Sequence, residues 1–420
     1  MGNRFGELKA LAQRGFFHIL TGGVITKLIT FASSIVVVRL LSKDDYSIIA
    51  YTDNIYSYIF LIAGLGFASG VLKFCVSNNM ERNRAYFQFA LKWGLLFQFV
   101  VSVGSLFAFG LIDFPIQGVS SMGLLLVLYP CFNYLFALLQ SMLRAGLHNK
   151  AYAWVGMLQA VLVLFLSILF VLAQGYLGVV WARYIAVAVC IVAILVLIRS
   201  ELFGSMEKIT RSEMIRFTTF SLSLLFANMF SMAMPLNEAF LVNNILQDPN
   251  DVANFKVAAL IPSQITFFTS AVIIYYTPYF ARMKAGEEAW QESVKCARIN
   301  AYIIAAVVVI GVAINSPIIL LVYGSAYGDA CSLAMVMWIA YGINAGFRMV
   351  PLNILPIIGF EKFNLVVSVV SCAIHFAFDA VMIWLYGVSG AVLASIIIYL
   401  VSGFVYWVYL AKRTRGVRAI

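Results

Sequence analysis

Residues 16–41 read FFHILTGGVITKLITFASSIVVVRLL, and between Phe16 and Arg39 the only full charge is Lys27. One membrane crossing needs about 20 apolar residues over a hydrocarbon layer of about 30 Å, so this stretch is long enough to span. It also carries an ionisable group near mid-depth. Stretches of the same kind recur at 46–72, 86–111, 119–143, 152–173, 177–199, 214–246, 252–281, 295–323, 327–357, 363–386 and 388–411. The composition agrees. Of the 420 residues 63% are hydrophobic and 11% charged, and the mean hydropathy is +0.95. A soluble domain is about 45–50% apolar and 25% charged. The connections between spans are short and leave no room for a soluble catalytic domain.

The cations fix an orientation. Arg4, Lys9 and Arg14, then Lys73, Arg82, Arg84 and Lys92, then Arg144 and Lys150 fall on one side. So do Arg199, Lys208, Arg211, Arg216, Arg282, Lys284, Lys295, Arg298, Lys362, Lys412, Arg413, Arg415 and Arg418. The other side holds Arg39, Lys43, Arg183 and Lys256, with acids at Asp44, Asp45, Asp113, Asp248, Asp251 and Asp329. The positive-inside rule then places both termini in the cytoplasm. The net charge of +10 is therefore a topology signal, and no nucleic-acid partner is expected, since base-stacking aromatics on a basic soluble fold are lacking. The expected fold class is all-α: a polytopic membrane protein with 12 transmembrane helices in two pseudo-symmetric six-helix lobes. The polar interruption after the sixth span divides the chain into 1–200, a cytoplasmic linker at 201–213, and 214–420. Six spans per half make any repeat parallel, about an axis along the membrane normal.

Charges inside the spans mark candidate sites, because each costs at least about 2.5–3.5 kcal/mol near mid-bilayer unless it faces water or a partner. Gly23, Lys27, Thr30 and Ser34 share one helical face. Comparable stripes are Asp53, Asn54 and Ser57; Asn228, Ser231, Pro235 and Glu238; Lys256, Ser263 and Ser270; and Asn364, Ser368, Ser371, His375 and Asp379. Arg348 stands beside Pro351. These stripes predict a polar cavity with Lys27, Arg348, Arg39, Lys256, Asn54 and Asn228 as substrate-binding residues. Asp53, Glu238, Asp379 and His375 are the candidates for ion coupling or for counter-ions. Plainer readings stand beside these: Arg39, Lys256 and Arg183 as snorkelling side chains, His375 as a packed core residue, the prolines as simple kinks. The cysteines at 75, 131, 190, 296, 331 and 372 show neither C-x-x-C nor zinc-ligand spacing and are expected as reduced, apolar fillers. No phosphate-binding G-x-x-x-x-G-K-[ST] loop is present, so no cofactor and no enzymatic activity are expected.

Several fragments carry a family resemblance: Arg39-Leu-Leu-Ser-Lys-Asp-Asp-Tyr46, Ala63-Gly-Leu-Gly-Phe-Ala-Ser69, Leu143-Arg-Ala-Gly-Leu-His-Asn-Lys-Ala-Tyr152, Tyr323-Gly-Ser-Ala-Tyr-Gly-Asp-Ala330 and Leu355-Pro-Ile-Ile-Gly-Phe-Glu-Lys362. They resemble polysaccharide and O-antigen flippases of the multidrug/oligosaccharidyl-lipid/polysaccharide exporter superfamily. Ser47 departs from the glycine common after the tyrosine of the first fragment. The resemblance implies two six-helix lobes that alternate between inward-open and outward-open states in a bacterial inner membrane. It implies as cargo an undecaprenyl-pyrophosphate-linked oligosaccharide, with a glycan polymerase as a partner. An inside-negative membrane potential by itself biases outward movement of such an anion, and coupling to H+ or Na+ is the alternative. A cation-coupled multidrug exporter of the same superfamily is the first alternative. A membrane glycan polymerase or glycosyltransferase is the second.

Overall fold

The computed structural model describes residues 16–76, 79–280, 283 and 285–415, except for the side chains of 16–21, 24, 223, 227, 228, 231, 274, 275, 277–279 and 361. Among the described residues all regular secondary structure is helical. The chain runs α1 (Phe16–Leu40), α2 (Lys43–Leu61), a 3-10 turn (Ala63–Gly66), α3 (Phe67–Phe74), α4 (Met80–Leu111), α5 (Val119–Leu125), α6 (Tyr129–Ala145), α7 (Asn149–Gln174), α8 (Gly178–Leu197) and α9 (Arg199–Leu202). It continues with α10 (Arg211–Ile245), α11 (Pro249–Leu260), a 3-10 turn (Pro262–Ile265), α12 (Thr266–Phe280), α13 (Glu287–Tyr323), α14 (Ala330–Ile343), a π segment (Asn344–Arg348), α15 (Met349–Ile357), α16 (Glu361–Tyr386) and α17 (Val388–Thr414). Among the described residues eight helical stretches are long and apolar enough to cross a membrane, and α5 with α6, bent by 47°, makes a ninth. This is a multi-pass membrane protein. One of the eight stretches, Asn149–Leu197, is broken at Gly175. Its two helices, of 26 and 20 residues, each reach about 30 Å or more by length.

The helices are inside-out by soluble standards. On α4 the buried face carries Ala90, Gly94, Gln98, Ser102 and Ser105, while Trp93, Phe99, Val100, Phe107 and Leu111 are exposed. On α13 Ser293, Asn300, Gly311 and Asn315 turn inward, and Tyr302, Val309, Ile310 and Leu321 outward. Lipid is as apolar as leucine, so burial of large side chains gains little between membrane helices. Small residues that permit close approach and polar groups that bond across helices take the inner face instead. The six cysteines are free thiols, five of them buried.

The chain forms two compact units that divide between Met229 and Phe230, within α10. In the first, Phe67, Val71, Tyr86, Tyr134, Leu138, Leu139, Val187, Ile194 and Phe217 form the core. Its second span is interrupted by three successive left-handed residues, Gly64 (φ 51), Leu65 (φ 58) and Gly66 (φ 71). Gln98 Oε1 takes up the Gly64 N–H that the break releases, at 3.0 Å. In the second unit the π segment releases carbonyls that its neighbours satisfy. Ala345 O accepts from Thr269 Oγ1 at 3.0 Å and from Asn300 Nδ2 at 2.9 Å, and Phe347 O accepts from Trp407 Nε1 at 2.9 Å.

Two turns recur in both units at one constant offset along the chain. His148 N bonds Leu143 O at 2.8 Å around Leu147 (φ 60), as Phe360 N bonds Leu355 O at 2.9 Å around Gly359 (φ 97). Gly175 (φ 61, ψ −144) and Gly387 (φ 61, ψ −146) then close α7 and α16 in a conformation open only to glycine. Three residues on, Gly178 and Gly390 lie against the backbone of the preceding helix, where an added Cβ would come within 2.2 Å of Phe170 C and 2.0 Å of Met382 O.

The segment between α9 and α10 is strapped to the first unit. Arg84 donates to Ser200 O (2.7 Å), Glu201 O (3.2 Å) and Ser205 O (3.2 Å). Asn79 bonds Glu207 at 3.0 Å, Ser205 bonds Glu81 at 2.5 Å, and His148 bonds Glu201. Arg82 pairs with Glu213, whose carboxylate also caps α10 by accepting from Thr210 N (2.8 Å) and Thr210 Oγ1 (2.9 Å). Those Thr210 hydrogen bonds, with the Arg82 guanidinium beside them, hold the Glu213 carboxyl below its usual range. A depressed carboxyl stabilises the fold above its unfolded pKa and loses that contribution as pH falls through its folded pKa. Protease protection of residues 200–213 is therefore expected to decline below about pH 4.3 in the native chain. In Glu213→Gln it should be weaker and flat with pH; a pH-dependent variant would assign the decline to other groups.

Candidate functional site

The second unit encloses a polar cluster built by α10, the π segment, α16 and α17. On α16, His375 and Asp379 are one helical turn apart and fully buried. His375 Nδ1 lies 3.1 Å from Asp379 Oδ2, yet the pair lacks hydrogen-bond alignment, and among the described residues both Asp379 oxygens are left without a hydrogen bond. The distance reports charge proximity and the orphaned oxygens report an unsatisfied site; the second decides what the site can do. His375 Nε2 meets Ser395 Oγ on α17 at 2.9 Å. Ser395 also lies beside the Glu238 carboxylate of α10 and the Tyr399 hydroxyl. Glu238 is buried and interacts electrostatically with Asp379. The Glu238 carboxylate, the His375 imidazole and the Tyr399 hydroxyl thus converge on one serine, with Asp379 one turn beyond His375. Asn237 adds a contact to Cys372 Sγ at 3.5 Å.

Two turns further along α17, at Ser402, the cluster reaches Arg348 of the π segment, 4% exposed. Its Nε donates to Ser402 Oγ (2.9 Å), Nη1 to Asn344 Oδ1 (3.2 Å) and Nη2 to Met234 Sδ (3.4 Å). Its guanidinium carbon stands 5.6 Å from the centroid of the Tyr399 ring. The His375 ring also packs on this tyrosine, 6.2 Å from it and inclined to it by 21°.

In the first unit the predicted residues divide. Asp53 on α2 is bound in bidentate fashion by Arg183 of α8, at 2.5 and 2.7 Å. Asn54 is buried. Lys27 is exposed on α1. That helix rests on α7 through Gly22, where an added Cβ would stand 2.7 Å from Ala153 Cβ, and through Thr26 against Gly156. Gly23, Lys27 and Thr30 lie on its open side, and a Cβ at Gly23 would meet no described atom within 4 Å. Arg39 is exposed in the last turn of α1, and Lys256 is half-buried on α11 of the second unit. The Asn228 side chain lies outside the described residues. No group of three His, Cys, Asp or Glu side chains among the described residues is placed to hold a metal ion.

Residues 12–284 match the sequence family described as polysaccharide biosynthesis protein. The chain belongs to that family. Its fold is that of solved transporters of the MOP superfamily. The inward-facing conformation of a multidrug resistance MATE family transporter matches with a TM-score of 0.72 at 14% identity, over 92% of this chain and 94% of that one. The outward-facing conformation of such a transporter matches at 0.62 and 15% identity, over 95% and 94%. A MOP superfamily transporter from Pyrococcus furiosus, noted for the reversed polarity of its binding pocket, matches at 0.63 and 15%, again over 95% and 94%. No curated protein matches the chain. The polysaccharide family was legible in the sequence fragments, and the solved relatives add the all-helical transporter fold.

Sequence reasoning missed Ser395, Tyr399 and Ser402, the α17 contribution to this family member's buried cluster. The signal was present: Ser395, Tyr399, Ser402 and Tyr406 recur at steps of four, three and four. High hydropathy over the span, 2.2, concealed it.

Proposed function

We propose that this polysaccharide biosynthesis protein is a flippase that carries a lipid-linked oligosaccharide, of the undecaprenyl-pyrophosphate class, from the cytoplasmic to the outer leaflet of a bacterial inner membrane. It crosses the bilayer twelve times, with both termini cytoplasmic, and its products enter O-antigen or related surface polysaccharide. The observation that carries this reading is Lys27, a cation at the middle of α1 on the side turned away from α7. A charge there is placed only where it faces water or a partner, and a cation on that open side attracts a phosphorylated headgroup. At 4 Å and an effective dielectric of about 20, one lysine attracts one phosphate charge by about 4 kcal/mol. Arg39 adds a second cation in the first unit, where Asn54 and Asn228 supply hydrogen bonds to sugar hydroxyls, and Lys256 contributes a cation in the second unit. An inside-negative potential favours outward movement of the anion by about 2.3 kcal/mol per charge per 100 mV.

The buried acids Glu238 and Asp379, with His375, form the ion-coupling site, and the proton is the ion. Asp379 presents two buried, unbonded oxygens, and a carboxyl group without a bonding partner is most cheaply kept in an apolar interior by protonation. Asp53, held by Arg183, serves the first unit as a counter-ion.

Lys27→Ala is expected to abolish surface glycan in a host that depends on this chain, with the protein still present in the membrane at wild-type level. Normal glycan from a stable Lys27→Ala chain would end the cargo reading. The MATE fold keeps a second reading open, export of cationic compounds. Efflux of a cationic dye by the chain, lost in Asp379→Asn, would favour it.

A further inference from the structure

Arg348 carries a full charge in the interior of the second unit, and none of its three hydrogen-bond partners, Ser402, Asn344 and Met234, is an anion. Among the described residues no carboxylate forms a salt bridge with it. The ionisable groups that interact with it electrostatically are Tyr399 and Tyr406 on α17 and Cys372 and His375 on α16. Tyr399 links Arg348 to the acids by contact: its ring centroid lies 5.6 Å from the guanidinium carbon and 6.2 Å from the His375 ring, and His375 Nδ1 lies 3.1 Å from Asp379 Oδ2. Tyr341 of α14 completes the ring of groups facing Glu238. Within this enclosed set the formal charges are those of Arg348, Glu238, Asp379 and, when protonated, His375. A sealed apolar interior strongly disfavours any net charge. With His375 neutral, the set is neutral when one acid is ionised and the other protonated.

We propose that Arg348 is the fixed counter-charge of the Glu238–Asp379 pair, a positioning residue that acts beside Tyr399 and sets the number of protons the pair holds at one. Arg348 thus tunes the coupling site and makes no contact with cargo. One acid is permanently balanced by the guanidinium. The other exchanges a single proton with whichever aqueous side the site opens to, and the carboxylate left behind is the state that must be refilled. The inference rests on the reading of Glu238 and Asp379 as the proton site, and the test separates the two.

The test is infrared absorption of protonated carboxyl groups in the purified full-length protein at neutral pH, with assignment by substitution. Wild type is expected to show one protonated buried carboxyl, lost in Glu238→Gln and in Asp379→Asn, because Arg348 then balances the remaining acid. Arg348→Gln is expected to show two, and Arg348→Lys one. Should Arg348→Gln fail to fold, the double variant Arg348→Gln/Glu238→Gln decides: it should regain one protonated carboxyl that the single Glu238→Gln lacks. No protonated carboxyl in wild type would overturn the reading of the acids themselves. One in wild type and still one in Arg348→Gln, or none in the double variant, would leave that reading standing and overturn the role given to Arg348.

Discussion

Gly64→Ala is expected to destabilise the first unit by about 3–5 kcal/mol and to remove most of the monodisperse protein recovered from membranes. Two costs combine. The residue sits at φ 51, where any side chain adds about 1–2 kcal/mol of backbone strain. Its new Cβ would also fall 1.8 Å from Tyr134 Cε2, an overlap no rotamer of alanine can avoid. Tyr134 cannot step aside. Its hydroxyl donates to Ala90 O at 2.7 Å, and Gly94 is the small residue that lets the ring pass. Overpacking of this kind costs about 1–3 kcal/mol or more. Thermal unfolding in detergent measures the loss, with Gly104→Ala as reference, since a Cβ there meets no described atom within 4 Å. Equal melting of the two variants would show that the left-handed break relaxes at little cost.

The second large effect belongs to Asp53 and Arg183. Arg183→Met should cost about 3 kcal/mol, the lower end for breaking a buried ion pair, because both side chains keep partial exposure, 20% for Arg183 and 30% for Asp53. The cost arises from the carboxylate left behind rather than from the attraction lost. Asp53→Asn/Arg183→Met should accordingly recover most of it. A double-mutant cycle by denaturant or thermal unfolding reads the coupling directly. Additive single and double variants would show that solvent already compensates the pair. The contrast with Arg348 is physical. Arg183 meets a carboxylate at 2.5 Å, so its charge is cancelled locally. Arg348 meets a hydroxyl, an amide oxygen and a sulfur, so its charge must be cancelled at longer range.

Much of the fold could be read from residue order. The span at 16–41 gave α1 (Phe16–Leu40), and the stretch at 363–386 gave α16 (Glu361–Tyr386), because an apolar run longer than the bilayer has no other stable conformation in lipid. Breaks were less visible. The span expected at 46–72 is in fact α2, a left-handed turn and α3, and Ala63-Gly-Leu-Gly66 was the only hint. The span at 327–357 contains the π segment, which no residue in Asn344–Arg348 announces. It exists because Thr269, Asn300 and Trp407, brought from three other helices, satisfy its carbonyls.

The same division runs through the site. That Lys27, Asp53, Glu238, Arg348, His375 and Asp379 are costly followed from sequence alone: the energy of a charge in hydrocarbon depends on its depth, and depth is set by position along a helix. Which charge answers which did not follow. Asp53 and Arg183 lie on helices separated by most of the first unit's chain, and Ser395 joins Glu238 to His375 only once α10, α16 and α17 pack together. Periodicity within a helix reports a face, while pairing depends on the rotation and approach of a neighbouring helix. Those are decided by small residues such as Gly22, Gly178 and Gly390, whose role is the absence of a side chain.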